Sequence, residues 1–252
     1  DDQVTWIVIA TLALSIFSRP LAGWCCDMFG PRKTYSWILI FGSAPVFLSG
    51  FAWNFESLLI SRALVGCIGG AFVVTVYHTT MMFAPNSVGR AAGVATGWGP
   101  FGAASSHLVL PATAMGMMGF GFFEASEWRL TMIVTGCVMI FSGWLYLMAT
   151  QDTPLGNFDD LRAEDLVPQK SEIAPCWGLA LRDHRVWMMA VIYGVCVGLE
   201  IAVISFGSLY FIHEFGLGMV EASLIIAAFG FLNLIGRGFG GFVADRYGGL
   251  LG

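Results

Sequence analysis

Two arginines, Arg19 and Arg237, stand inside long apolar stretches of this 252-residue chain. Each opens the same spacing, R-x3-G-x3-D-x2-G, as Arg19-Gly23-Asp27-Gly30 and as Arg237-Gly241-Asp245-Gly248. The copies lie 218 residues apart (237 − 19). If each aspartate marks the end of a membrane helix, its arginine, eight residues earlier, sits about 12 Å deep in a hydrocarbon layer about 30 Å thick. A cation at that depth costs about 2.5–3.5 kcal/mol on insertion scales, so such residues face a bundle interior or a watery cavity. A guanidinium is a planar fork of donors suited to planar oxyanions. Two forks facing each other repel until an anion lies between them. The chemistry expected is the holding of a small anion; the plainer alternative is a private acid or carbonyl partner for each arginine.

Other residues fit around this pair. Glu200 lies mid-span. It is either a proton carrier that also balances two guanidinium groups and one monovalent anion, or a structural partner of Arg19 or Arg237. Asn233, one helical turn before Arg237, can orient that guanidinium or bond the anion. Phe72 and Tyr77 can wall a cavity, although aromatic packing is the default reading for them. His78 and His107 read as satisfied core histidines. At the helix ends, Gly23 and Gly241 permit close helix approach. Asp27 and Asp245 can cap a neighbouring helix or pair with Arg32 and Arg90, which makes Gly23, Asp27, Gly30, Arg32, Gly241 and Asp245 a candidate conformational latch.

The composition sets the surroundings of these residues. Hydrophobic residues make up 57% and charged residues 12%, half the charged share of a soluble domain. With 32 glycines, this points to closely packed membrane helices. The net charge of −5 argues against nucleic acid as a partner. The six cysteines, Cys25, Cys26, Cys67, Cys137, Cys176 and Cys196, show no metal-ligand spacing and read as small hydrophobes. No nucleophile–base pair, phosphate loop or metal spacing indicates an enzyme, and no cofactor or metal is implied.

Seven apolar spans are expected, at 4–26, 35–53, 57–83, 91–115, 130–150, 186–212 and 222–244. Loops on one side carry Arg32, Lys33, Arg90, Arg162, Lys170, Arg182, Arg185 and Arg246, against Arg129 on the other, which marks the former as cytoplasmic. The expected fold class is therefore an all-α membrane protein. Its domains are a helical bundle at 1–150, a mobile cytoplasmic linker at 151–185 and the start of a second bundle at 186–252. A chain with this polarity, no initiator Met and two unfinished bundles is expected to be an internal fragment of a longer, duplicated carrier.

The loop Gly23-x3-Asp27-x2-Gly30-Pro31-Arg32 resembles the signature between the second and third helices of the major facilitator superfamily, and Arg62-x3-Gly66-x3-Gly70 resembles that superfamily's fourth-helix motif. Within it, three stretches are similar to the nitrate/nitrite porter family: FSRPLAGWCCDMFGPRK, GRAAGVATGWGPFGAASS (89–106) and FGFLNLIGRGFGGFVAD (229–245). YGVCVGLE (193–200) is similar to the start of that family's seventh helix. The resemblance implies seven helices, the second to the eighth, of twelve. It implies nitrate or nitrite clamped by Arg19 and Arg237, Tyr193 at the substrate site, and a glycine-rich helix (Gly93, Gly97, Gly99, Gly102) that lets its neighbours slide during gating. It implies a plasma-membrane carrier working by alternating access, driven by a proton or a counter-anion; nothing in the sequence identifies an accessory subunit. One position departs from the pattern. Where the family has Asn after Gly-Trp-Gly, this chain has Pro100, which brings no side-chain donor and kinks its helix.

Overall fold

A computed structural model of the chain describes residues 2–119, 127–166 and 178–248. It forms helices α1 (Asp2–Phe29), α2 (Pro31–Gly50), α3 (Phe55–Val65), α4 (Ala71–Met82), α5 (Val88–Gly119), α6 (Glu127–Ala149), α7 (Phe158–Ala163), α8 (His184–Phe215) and α9 (Met219–Tyr247). Helical structure lies at each of the seven expected positions. The third is not one helix: a 3-10 turn at Gly66–Gly70 joins α3 to α4. Five stretches are long and apolar enough to cross a membrane by length and composition, namely Thr5–Phe29, Phe55–Met82, Arg129–Ala149, His184–Phe215 and Met219–Tyr247. α2 and α5, with 20 and 32 residues, run alongside them. The chain is a multi-pass membrane protein.

Local chemistry sets the helix ends. Pro31 occupies the first turn of α2, where its missing N–H costs nothing. Ser57 accepts from the Asn54 amide to start α3 (3.2 Å). The Asp183 carboxylate accepts from the Arg185 amide to start α8 (2.9 Å), and α8 stops at Gly216, which takes a left-handed conformation at φ 62°. Inside the spans, Thr and Ser hydroxyls return to carbonyls of their own helix, as Thr75 does to Ala71 (3.0 Å), leaving few polar groups unsatisfied in lipid.

α1–α6 pack on one another, α2 chiefly on α6, and α1 on α3, α4 and the 3-10 turn. α9 packs on α5 and on α8. The α5–α9 seam is close because its crossing points are small residues. A Cβ on Gly93 or Gly241 would strike the backbone of the facing helix, and one on Gly97 would sit 2.8 Å from Leu234. Large apolar side chains such as Trp6, Phe17, Phe141 and Leu199 point outward, as a lipid-facing surface requires.

The first part of the expected linker is not a solvated loop. Asp152, Phe158 and Leu161 are buried. The Asp152 carboxylate accepts from the Arg32 amide (2.8 Å) and the Phe158 amide (3.1 Å), so it caps α2 and holds α7 against it. Gly30 makes room: its φ is 88°, and a Cβ there would lie 2.6 Å from Asp152 Oδ1. Arg162 on α7 donates to the Met28 carbonyl (2.7 Å) and the Asp27 carbonyl at the end of α1, where the helix dipole favours a cation. The correction has a plain cause: these charges find buried helix ends that spacing alone does not reveal. Lys170 and Cys176 lie outside the described residues.

Asp152→Ala is expected to cost about 2 kcal/mol by stranding two buried amides, seen as a fall of roughly 4–8 °C in the melting midpoint in detergent. Lys33→Ala, which breaks the solvent-facing Lys33–Asp159 pair, is expected to shift that midpoint by less than Asp152→Ala does.

Candidate anion-binding site

A cavity of about 700 Å³ lies between α1, α4, α5, α8 and α9. Arg19 and Arg237 both line it, as do Phe72, Tyr193, Glu200, Gly99 and Pro100. Helical periodicity puts them there. Tyr193 and Glu200 are seven residues apart on α8, and Phe72 and Thr75 are three apart on α4, so each pair shares a face. The duplicated arginines thus reach one space from α1 and α9.

Their surroundings differ. Arg237 pairs with the Glu200 carboxylate, and its Nε donates to Asn233 Oδ1 (2.9 Å). Asn233 Nδ2 in turn donates to Glu200 Oε1 (2.6 Å), closing a three-membered polar ring. Asn233 therefore orients the guanidinium, one of its two expected roles. Arg19 has no carboxylate partner among the described residues. Its guanidinium lies over the Phe72 ring (5.8 Å to the centroid) and within hydrogen-bonding reach of the Tyr193 hydroxyl. Its Nε is buried without a hydrogen-bond acceptor among the described residues. Phe72 and Tyr193 stack loosely, 6.0 Å between centroids, and join α4 to α8 across the cavity. Two cations and one carboxylate leave a surplus of one positive charge in a mostly apolar space, where an unpaired charge is costly.

The glycines of α5 divide into two sets. Gly93 and Gly97 press against α9, whereas Gly99 and Gly102 have no atom within 4 Å of a Cβ position, so close packing does not explain them. Gly99 borders the cavity instead.

The candidate latch also divides. The Asp245 carboxylate accepts from the Gly89 amide (2.7 Å), the Arg90 amide (2.8 Å) and Arg90 Nε (3.2 Å), capping α5 from α9 as expected. For Arg32, one of the partners open to Asp27, the observed bonds run elsewhere. Arg32 donates to the Leu147 carbonyl (2.8 Å) and to Asn157 Oδ1 (3.2 Å). The Asp27 side chain lies in hydrogen-bonding reach of Tyr77. The Leu147 carbonyl near the end of α6 and the Asn157 side-chain oxygen accept from Arg32. Gly23 lies half-buried in α1. His78 is buried and bonded on both ring nitrogens, and His107 faces Ser208 Oγ at 3.5 Å.

Tyr35, Thr75, Thr96 and Trp98 also line the cavity, and the sequence reading did not single them out. The i, i+3 spacing of Thr75 from Phe72 was a usable signal; Tyr35, near the start of α2, gave none.

Compared with known proteins, residues 1–251 match the family described as Major Facilitator Superfamily. The chain is 29% identical to the nitrate/nitrite transporter NrtP of Nostoc punctiforme, covering 98% of this chain and 63% of that protein. It is 33% identical to the high affinity nitrate transporter 2.7 of Arabidopsis thaliana (95% of this chain, 51% of that protein). It is 30% identical to the high-affinity nitrate transporter 2.3 of Oryza sativa subsp. japonica (95% and 47%). The chain thus spans about half to two thirds of the length of these relatives.

Arg237→Gln alone strands the Glu200 carboxylate and is expected to destabilise by about 3 kcal/mol. Adding Glu200→Gln to it is expected to restore more than half of that loss, as a positive coupling in a thermal double-mutant cycle.

Proposed function

We infer that this chain, which belongs to the Major Facilitator Superfamily and to its nitrate/nitrite porter family, supplies the anion-binding cavity of a carrier that moves nitrate or nitrite across the membrane. The observation that carries this reading is the single surplus positive charge at the cavity: Arg19 and Arg237 on its wall, with Glu200 paired to only one of them. A monovalent oxyanion brings the three groups to neutrality, which a low-dielectric site rewards. It also offers an acceptor to the buried Arg19 Nε, a donor whose isolation costs about 1–3 kcal/mol.

The steps follow from the asymmetry. The anion meets Arg19 first, since Arg237 is already occupied by Glu200 and Asn233. To engage both forks, the anion competes with Glu200 for Arg237. A proton on Glu200 weakens that grip, so proton and anion arrive as a neutral pair and downhill proton entry drives uptake. Tyr193 and Phe72 flank Arg19 and fix the plane in which the anion lies. The helix sets on either side of the α5–α9 seam then rock about the occupied cavity, first open to the outside and then to the Lys/Arg-rich side. The Gly93 and Gly97 contacts are smooth enough for the seam to slide, and Asp245 releases or regrips the start of α5 as it does so.

A second reading in the same class rests on Pro100. It stands in the cavity wall, where it offers no donor, so the site holds fewer bonds to a third oxygen than the family pattern would give. On that reading the preferred cargo is nitrite, formate or another small anion. A nitrate-binding membrane sensor is the alternative outside the carrier class.

For the complete protein in vesicles, Arg19→Lys and Arg237→Lys are each expected to lower labelled nitrate uptake at least tenfold; full activity in both overturns the clamp. Binding without flux in the unmodified protein identifies a sensor, and stronger competition by nitrite or formate than by unlabelled nitrate identifies the second reading. Glu200→Gln is expected to retain nitrate exchange while losing the dependence of net uptake on a proton gradient. Unchanged proton-driven uptake in that variant removes Glu200 from the coupling.

A further inference from the structure

A second cavity, of about 300 Å³, lies at the Lys/Arg-rich ends of α2, α4 and α6. Tyr35 and Thr75 wall both it and the midplane cavity, so the two spaces adjoin. His78, Thr79, Tyr146 and Thr150 complete its polar lining. The threonines are committed to their own helices, with Thr75 bonded to the Ala71 carbonyl, Thr79 to the Thr75 carbonyl and Thr150 to the Tyr146 carbonyl. The pair able to change partners is His78 and Tyr146.

His78 Nε2 lies 2.7 Å from the Gln151 carbonyl oxygen. A carbonyl only accepts, so Nε2 carries a hydrogen. Nδ1 meets the Tyr146 hydroxyl. In the neutral ring Nδ1 has a lone pair and no hydrogen, so the phenol O–H points at the ring. A proton entering this pair binds Nδ1. The imidazolium then donates to the phenol oxygen, and the Tyr146 O–H must turn away, into the cavity that it lines. One protonation thus creates an outward donor and places a positive charge behind it.

We propose that this inner cavity is a second station for a small monovalent oxyanion, held by the Tyr146 hydroxyl only while His78 is protonated. The proposal rests on the reading of the midplane cavity as the anion's path. The balance is simple: one proton binds Nδ1, one anion accepts from Tyr146, and both leave to the same side as a neutral pair. Among the surrounding ionisable groups, Tyr35 on α2 stacks on Tyr146 at 4.6 Å. On α1, Cys26 is buried and Asp27 faces Tyr77. The Asp152 carboxylate is taken by the Arg32 and Phe158 amides. At the start of α5, Arg90 is turned to Asp245. None of these groups is hydrogen-bonded to His78 among the described residues, so Tyr146 is the partner through which its charge is passed on.

The test is nitrogen NMR of the complete protein with labelled histidine, at a fixed pH near neutral, adding nitrate against gluconate at equal ionic strength. His78→Gln assigns the signal among the four histidines. Because coupling between proton and anion is reciprocal, nitrate is expected to move the His78 signal from the neutral-ring toward the charged-ring position, and Tyr146→Phe, which leaves the midplane lining intact, is expected to abolish at least half of that movement. Nitrate bound by the protein with no movement at His78, or the same movement in Tyr146→Phe, overturns the second station and leaves the midplane reading standing. No nitrate binding by the unmodified protein overturns both.

Discussion

An arginine set inside a long apolar helix has to be answered by something, and this cavity answers its two arginines unequally. Arg237 is satisfied from within, by Glu200 and Asn233. Arg19 has an aromatic face, a phenol and a buried Nε without an acceptor among the described residues. Were each arginine matched to its own carboxylate, the site would be neutral and closed to anions. Were neither matched, two like charges at one cavity would strain the fold. One carboxylate for two guanidinium groups lies between these limits: the cavity keeps one uncompensated positive charge among the described residues.

That arrangement depends on a seam holding helices from distant parts of the chain together. Small residues at Gly93, Gly97 and Gly241 bring α5 and α9 into backbone contact, which carries Arg237 to the same cavity as Arg19. Asp245 pins the end of the seam by capping α5. The contact is intimate, with small residues at its crossing points and an ion pair between Asp245 and Arg90 at its end. That close approach is a consequence of the missing side chains.

The duplicated motif illustrates how equal spacing can lead to unequal structure. In the second copy, Asp245 caps a helix and pairs with an arginine. In the first, Asp27 turns to Tyr77, and the capping of α2 passes to Asp152, a residue of the connecting segment. The 152–166 segment is thereby part of the first helix set, clasped by Asp152 and Arg162, and the freedom expected of the whole 151–185 stretch does not extend to its first half.

The membrane location, the all-helical fold and the family were all legible in the chain itself. Each rests on one-dimensional facts: runs of apolar residues as long as the bilayer is thick, a repeated spacing, and motif residues at fixed offsets. Helical periodicity likewise let Asn233 be assigned to Arg237. What required three dimensions was partnership. Glu200 was open to either arginine as a partner; Arg32 had Asp27 five residues away and bonds the Leu147 carbonyl; Gly99 and Gly102 looked like their packing neighbours and face open space among the described residues. A charge pairs with the acceptor that lies nearest after packing, and that distance is set by how whole helices meet rather than by spacing along one of them.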